Sequence, residues 1–161
     1  MPDMLVKLYE LPELAPLLMD LREKGITIRR GMPPEKHNVI AWVKKEFNEY
    51  WASECEFAYA QQPNTCLLAV KEEPGSEKGT LIGFACYNAT AKGFFGPTGV
   101  SPEARGLGAG KALLIAALHA MREDGYGYGI IGAAGPTEFY AKTVGATEIP
   151  DSVPGIYRGM Q

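Results

Sequence analysis

Val100-Ser-Pro-Glu-Ala-Arg-Gly-Leu-Gly-Ala-Gly-Lys-Ala-Leu-Leu114 decides the fold, because it joins an apolar run to a long helix through a turn holding Gly106, Gly108 and Gly110. Glycines let the backbone take conformations closed to other residues and approach a ligand closely. The first amides of the helix have no partner within it and carry the positive end of its dipole, so the turn suits a phosphate, with Arg105 and Lys111 beside it. A nucleoside-triphosphate loop needs Gly-x-x-x-x-Gly-Lys-[Ser/Thr]; here Arg105 stands five before Gly110 and Ala112 follows Lys111, so the magnesium-binding hydroxyl is missing. A dinucleotide fingerprint, Gly-x-Gly-x-x-Gly, fails as well: counted from Gly106 the third glycine falls one position early, and counted from Gly108 its place is taken by Leu113.

Downstream, about Gly108 to Glu123 is built of Ala, Leu, Ile and Lys, apolar nearly all round, which predicts a helix sandwiched in the core and closed by Gly125. Gly127 to Ala133 reads as a strand, Pro136 to Val144 as a short helix capped by Gly145, and Ala146–Ile149 and Ile156–Arg158 as closing strands. Upstream, Thr65–Val70 and Thr80–Tyr87 are strands joined by the polar segment Lys71–Gly79. Phe94–Val100 is a third, which Gly96-Pro97 demotes to an edge or bulged strand. The apolar positions Val39, Ile40, Val43, Phe47, Tyr50 and Trp51 predict one amphipathic helix beginning near Pro33-Pro34-Glu35, preceded by the strand Ile26–Arg30. Residues 1–25 show an alternating piece from Leu5 to Leu8 and a helix through Leu14, Leu17, Leu18 and Leu21 that ends at Gly25. The order predicts an α/β (α+β) single domain, residues 1–161, with a mixed, mostly antiparallel sheet and one parallel β-α-β crossover.

Composition narrows the function. Gly 19 and Pro 12 exceed average usage but stay below the level of disordered chains, and hydrophobic residues at 46% supply a core. The balance of 16 basic and 19 acidic residues, net charge −3, has no block of like charge and offers nothing to nucleic acid. The longest apolar stretch, Ala112 to Ala120, contains His119 and is far too short to span a membrane; with no secretory signal at Met1-Pro-Asp-Met-Leu, the cytoplasm is the expected compartment. Cys55, Cys66 and Cys86 are odd in number and widely spaced, and His37 and His119 form no metal-binding pair, so buried reduced thiols and no metal are expected.

Read as Arg-x-x-Gly-x-Gly, Arg105 to Gly110 resembles the pyrophosphate-binding motif of the GNAT acetyltransferase superfamily. The resemblance runs from about Ile26 to Arg158: Leu81-Ile-Gly-Phe-Ala is similar to the family's third strand, Val100-Ser-Pro-Glu to the approach to the loop, and Phe139-Tyr140-Ala-Lys-Thr-Val-Gly145 to its late helix. It implies a GNAT-like sheet over residues 26–161, with residues 1–25 an extension packing on or near it. It also implies acetyl-CoA as donor and an N-acetyltransferase acting on a primary amine by direct attack on the thioester. Arg105, Gly106, Leu107, Gly108, Ala109, Gly110 and Lys111 would hold the pyrophosphate, and Val100 the pantetheine arm. Gly96, Pro97 and Gly99 suit the disrupted ladder that such a cleft needs. Tyr140 corresponds to the family's general acid, although four residues separate it from Gly145 where the usual pattern has three. For the general base the sequence offers Glu54 and Glu56, within an acidic stretch that also holds Glu46 and Glu49, or a water positioned by Tyr87 and Asn88. Family habit implies a homodimer, and a non-catalytic CoA-binding sensor or assembly module is the alternative function.

Overall fold

A computed structural model of the chain describes all of residues 1–161. Twelve elements follow one another: β1 (Met4–Lys7), α1 (Ala15–Glu23), β2 (Ile26–Arg30), α2 (Lys36–Glu46), α3 (Glu49–Tyr59), β3 (Cys66–Lys71), β4 (Thr80–Tyr87), β5 (Phe94–Val100), α4 (Ala109–Glu123), β6 (Tyr128–Ile131), α5 (Thr137–Val144) and β7 (Thr147–Glu148). The strands form one sheet in the order β2-β3-β4-β5-β6-β1-β7. The described neighbours are antiparallel except β5 and β6, which run parallel through the α4 crossover. This is the GNAT-like α/β sheet that the sequence predicts.

Each face of the sheet has its own core. On one face lies α4, whose Ala112, Leu113, Leu114, Ile115, Ala117, Leu118 and Met121 are buried, with Leu21 of α1 in the same cluster. A helix so uniformly apolar is stable only when covered on both sides, and truncating Leu113 to Ala would cost about 2–5 kcal/mol. His119, at its margin, bonds through Nε2 to the Pro12 carbonyl at 2.8 Å. The opposite face is covered by α2 and α3 through Val39, Val43, Ala52, Cys55 and Ala58, which meet Cys66, Leu68, Phe84 and Cys86 of the sheet. No helix is long and apolar enough to cross a membrane.

Three expectations need correction. The helix predicted through Phe47 and Trp51 is two helices: Phe47 leaves helical geometry, and Asn48 starts α3 by accepting the Trp51 N–H at 2.9 Å. Ile156–Arg158 is not a strand but part of a 3-10 turn, Gly155–Tyr157, packed beyond the sheet. Strand β5 is, of the two alternatives expected, the bulged one, and it lies inside the sheet between β4 and β6. Of residues 1–25, expected on or near the rest, Met4–Lys7 enters the sheet itself, pairing with β6 on one side and β7 on the other, because Met4 and Val6 bring two buried side chains to the α4 face.

Candidate functional site

The bulge in β5 is what opens the site. Ala85 pairs with Thr98 and Tyr87 with Phe95, so Gly96 and Pro97 together face the single residue Cys86. On its other edge β5 pairs with β6 only at Phe94 and Phe95, beyond which the two strands part. The Ser101 N–H donates to the Ile82 carbonyl at 2.8 Å, and Gly99 is paired with Phe84. Residues alternate in the direction of their hydrogen bonds along a ladder, so Thr98 and Val100 turn their backbone groups away from β4, toward the gap. Gly99 itself remains in the ladder, and its missing side chain makes room for the Phe47 ring, which packs on Trp42, Trp51 and Phe84.

Past Val100 the chain makes a short turn, Pro102–Ala104, and reaches the glycine loop. Gly106 and Gly108 have φ of 83° and 94°, left-handed conformations that explain why glycine stands at both. Gly108 caps α4 with no side-chain hydrogen bond, leaving the N-terminal amides of Ala109, Gly110 and Lys111 without helical acceptors. Arg105 and Lys111 are exposed beside them. One residue outside the motif joins the loop: Lys24 Nζ donates to the Leu107 carbonyl at 3.0 Å and pairs with Asp20 at 2.9 Å, adding a positive charge that no local sequence signal marks. The set of free amides, strand edge and cations fits a pyrophosphate followed by an amide-bearing arm, which is the chemistry of coenzyme A.

A cavity of about 570 Å³ runs through the gap. Gly96, Pro97, Thr98, Ile131 to Gly135 and Tyr140 form one side; Tyr50, Trp51, Ser53, Glu54 and Thr90 form the other, and Ile156, Tyr157 and Met160 of the C-terminal segment close it. Tyr140 is held by α5, which ends in a left-handed Gly145, and burial pushes its phenol above the ordinary value, so it is protonated at neutral pH. Glu54 projects from α3, accepts a short hydrogen bond from the Thr90 hydroxyl, and has its pKa raised by burial, against the lowering effect of that bond. The Tyr157 phenol is raised by burial and then by the Glu54 charge.

The structure therefore brings Tyr140 and Glu54 to one cavity and leaves Glu56 out of it. Glu56 sits two positions further along α3, on the opposite, exposed side. Tyr87 and Asn88 are engaged elsewhere: the Tyr87 hydroxyl accepts from Arg30 Nη1 at 2.9 Å, and Asn88 Oδ1 accepts the Gly93 N–H at 2.8 Å. Thr90, Tyr157 and Lys24 join from distant parts of the chain, which is why sequence reasoning missed them. The three cysteines, unremarkable in spacing, converge: their sulfurs lie within 4.8 Å of one another in the core under α3, where burial drives the Cys86 thiol upward and favours its neutral form.

A family model described as the acetyltransferase (GNAT) family matches residues 36–145, and the chain belongs to that family. Solved structures of the same fold include the GCN5-related glucosamine N-acetyltransferase region of a fungal multi-domain GH3 beta-N-acetylglucosaminidase, with a TM-score of 0.73 and 15% identity over 92% of this chain and 19% of that one. They also include a GCN5-related N-acetyltransferase from Sphaerobacter thermophilus (TM-score 0.66, 22% identity, 92% of this chain and 48% of that one). A third is the GCN5-related N-acetyltransferase from Kribbella flavida (TM-score 0.59, 18% identity, 91% of this chain and 53% of that one). The chain thus spans about half or less of these proteins, and the likeness is one of fold. No curated protein sequence matches it.

Proposed function

We propose that the protein transfers an acetyl group from acetyl-CoA to a primary amine, with the donor held by Val100 and by Arg105 to Lys111. The observation that carries this reading is the parting of β5 from β6 just beyond Phe95, before a loop of free helix-start amides and around a cavity that holds one half-buried carboxylate and one buried phenol. Acetyl-CoA supplies the activated thioester. The amine nitrogen must lose a proton to attack; Glu54, its basicity raised by burial, takes it. As the amide C–N bond forms and the C–S bond breaks, the Tyr140 hydroxyl gives its proton to the departing sulfur, the nitrogen passes its second proton to the resulting phenolate, and Glu54 returns the first to solvent.

Acetyl-CoA at one hundred times its dissociation constant should stabilise the fold by about 2.7 kcal/mol, seen as a rise in Tm. Thiol release from acetyl-CoA in the presence of an amine panel tests the transfer. Release above the buffer rate supports it, whereas a Tm rise with no release for any amine would reduce the protein to a CoA-binding module.

A further inference from the structure

The cavity is specific about charge. Among the residues around it Glu54 is the only carboxylate, and there is no Lys, Arg or His side chain. One anion in a partly desolvated wall pairs with one cation. A second ammonium, as in a diamine or polyamine, would find no second carboxylate, and the carboxylate of a free amino acid would meet no basic side chain and would be repelled by Glu54.

Both threonine hydroxyls of the wall are already engaged. The Thr90 hydroxyl donates to Glu54 and the Thr98 hydroxyl to the Phe84 carbonyl at 3.1 Å, which leaves Ser53 and the phenols of Tyr50, Tyr140 and Tyr157 as the side-chain donors of the wall. Eleven of the nineteen surrounding residues are hydrophobic. Tyr50 and Glu54, at i and i+4, share one face of α3 with Trp51 beside them, and Ile156 and Met160 of the C-terminal segment line the same cavity. An ammonium at Glu54 therefore has the Tyr50 and Trp51 rings next to it and leaves its carbon body among apolar side chains.

We propose that the acceptor is a primary monoamine on an aromatic or branched apolar body, bound with its ammonium at Glu54 and its body between Trp51 and Ile156. The proposal rests on the acetyl-transfer reading for its chemistry, but its binding geometry can be measured without turnover. Calorimetry with CoA present compares 2-phenylethylamine, 1,4-diaminobutane and glucosamine as probes. The expected result is 2-phenylethylamine binding at least tenfold more tightly than either of the others. Glu54→Gln, checked for folding by its melting curve, should lose at least tenfold of that affinity.

Ile156 is 57% exposed on a surface turn, so Ile156→Glu leaves the core intact while adding a second carboxylate, and it should narrow or reverse the preference against the diamine. Tighter binding of the diamine or of glucosamine to the unmodified protein, no measurable binding of 2-phenylethylamine, or an unchanged affinity in Glu54→Gln would each overturn the proposal. Efficient acetylation of the diamine or of glucosamine in preference to 2-phenylethylamine would overturn it while leaving acetyl transfer standing. Selective binding of 2-phenylethylamine without thiol release from acetyl-CoA would instead defeat the transfer reading and keep the pocket's selectivity.

Discussion

Glu54 carries a cost to the fold that its proposed role as base would explain. Burial raises its native pKa above the unfolded value, so between those two values the native state holds more protons and stability falls as pH rises. The deficit persists above the native pKa. Glu54→Gln should therefore melt at a higher temperature than the unmodified protein at pH 7.5, with a smaller difference at pH 4, while thiol release drops by roughly 10²-fold or more; calorimetric melting at the two pH values together with a turnover assay checks both. Tyr140→Phe should lower kcat by about 10²-fold with the KM for acetyl-CoA unchanged, since the phenol acts on the leaving sulfur; equal turnover in that variant would remove the proposed acid. Tyr140 was legible in the sequence because its neighbours Phe139 and Gly145 frame it. Glu54 was legible only together with Glu56, because choosing between them requires the phase of α3, which the break at Phe47 and the Asn48 cap reset.

At the scale of the element, the glycine loop and the first helix pair each offer a test. Gly108 has a φ of 94°, so Gly108→Ala should cost about 1–2 kcal/mol in chemical denaturation and shrink the Tm rise produced by acetyl-CoA. At the start of α2, Glu35 accepts two bonds from Arg29, at 2.6 and 2.8 Å, and one from the Met32 N–H at 2.7 Å, which lowers its pKa. That contribution is present above the unfolded pKa and is lost as pH falls through the depressed native one. Both side chains are partly solvated, so Glu35→Gln should cost only about 1 kcal/mol at pH 7 and almost nothing in acid, as denaturant titrations at the two pH values would show. The central strands were readable to within a residue or so, since apolar runs bounded by polar and glycine-rich segments have few other uses. The break between α2 and α3 was hidden by a periodicity that runs straight through it; the signal that marks it is Asn48, a strong N-cap residue followed by Glu49 in the first turn.

For the whole molecule, the strand order was the least legible feature. Met4 pairs with Ile131 and with Glu148, more than one hundred residues away, and four residues of alternating pattern carry no sign of such partners. Strand β1 is the only bridge between β6 and β7, and it fills the α4 face with Met4 and Val6. Removing residues 1–10 should therefore abolish or sharply lower the cooperative thermal transition by circular dichroism, a result foreign to a loosely packed extension. The glycines gathered between Gly93 and Gly135 take their places in the same frame: Gly96 in the bulge, Gly99 under Phe47, Gly106 and Gly108 in the loop, and Gly132 under Tyr157. We propose that the loop and the cavity form one cofactor path. Following backbone amides by NMR during an acetyl-CoA titration tests that path most directly. The largest shifts are predicted at Thr98, Val100 and Gly106 to Lys111; an absence of shifts there at millimolar acetyl-CoA, or saturable shifts confined to another face, would contradict it.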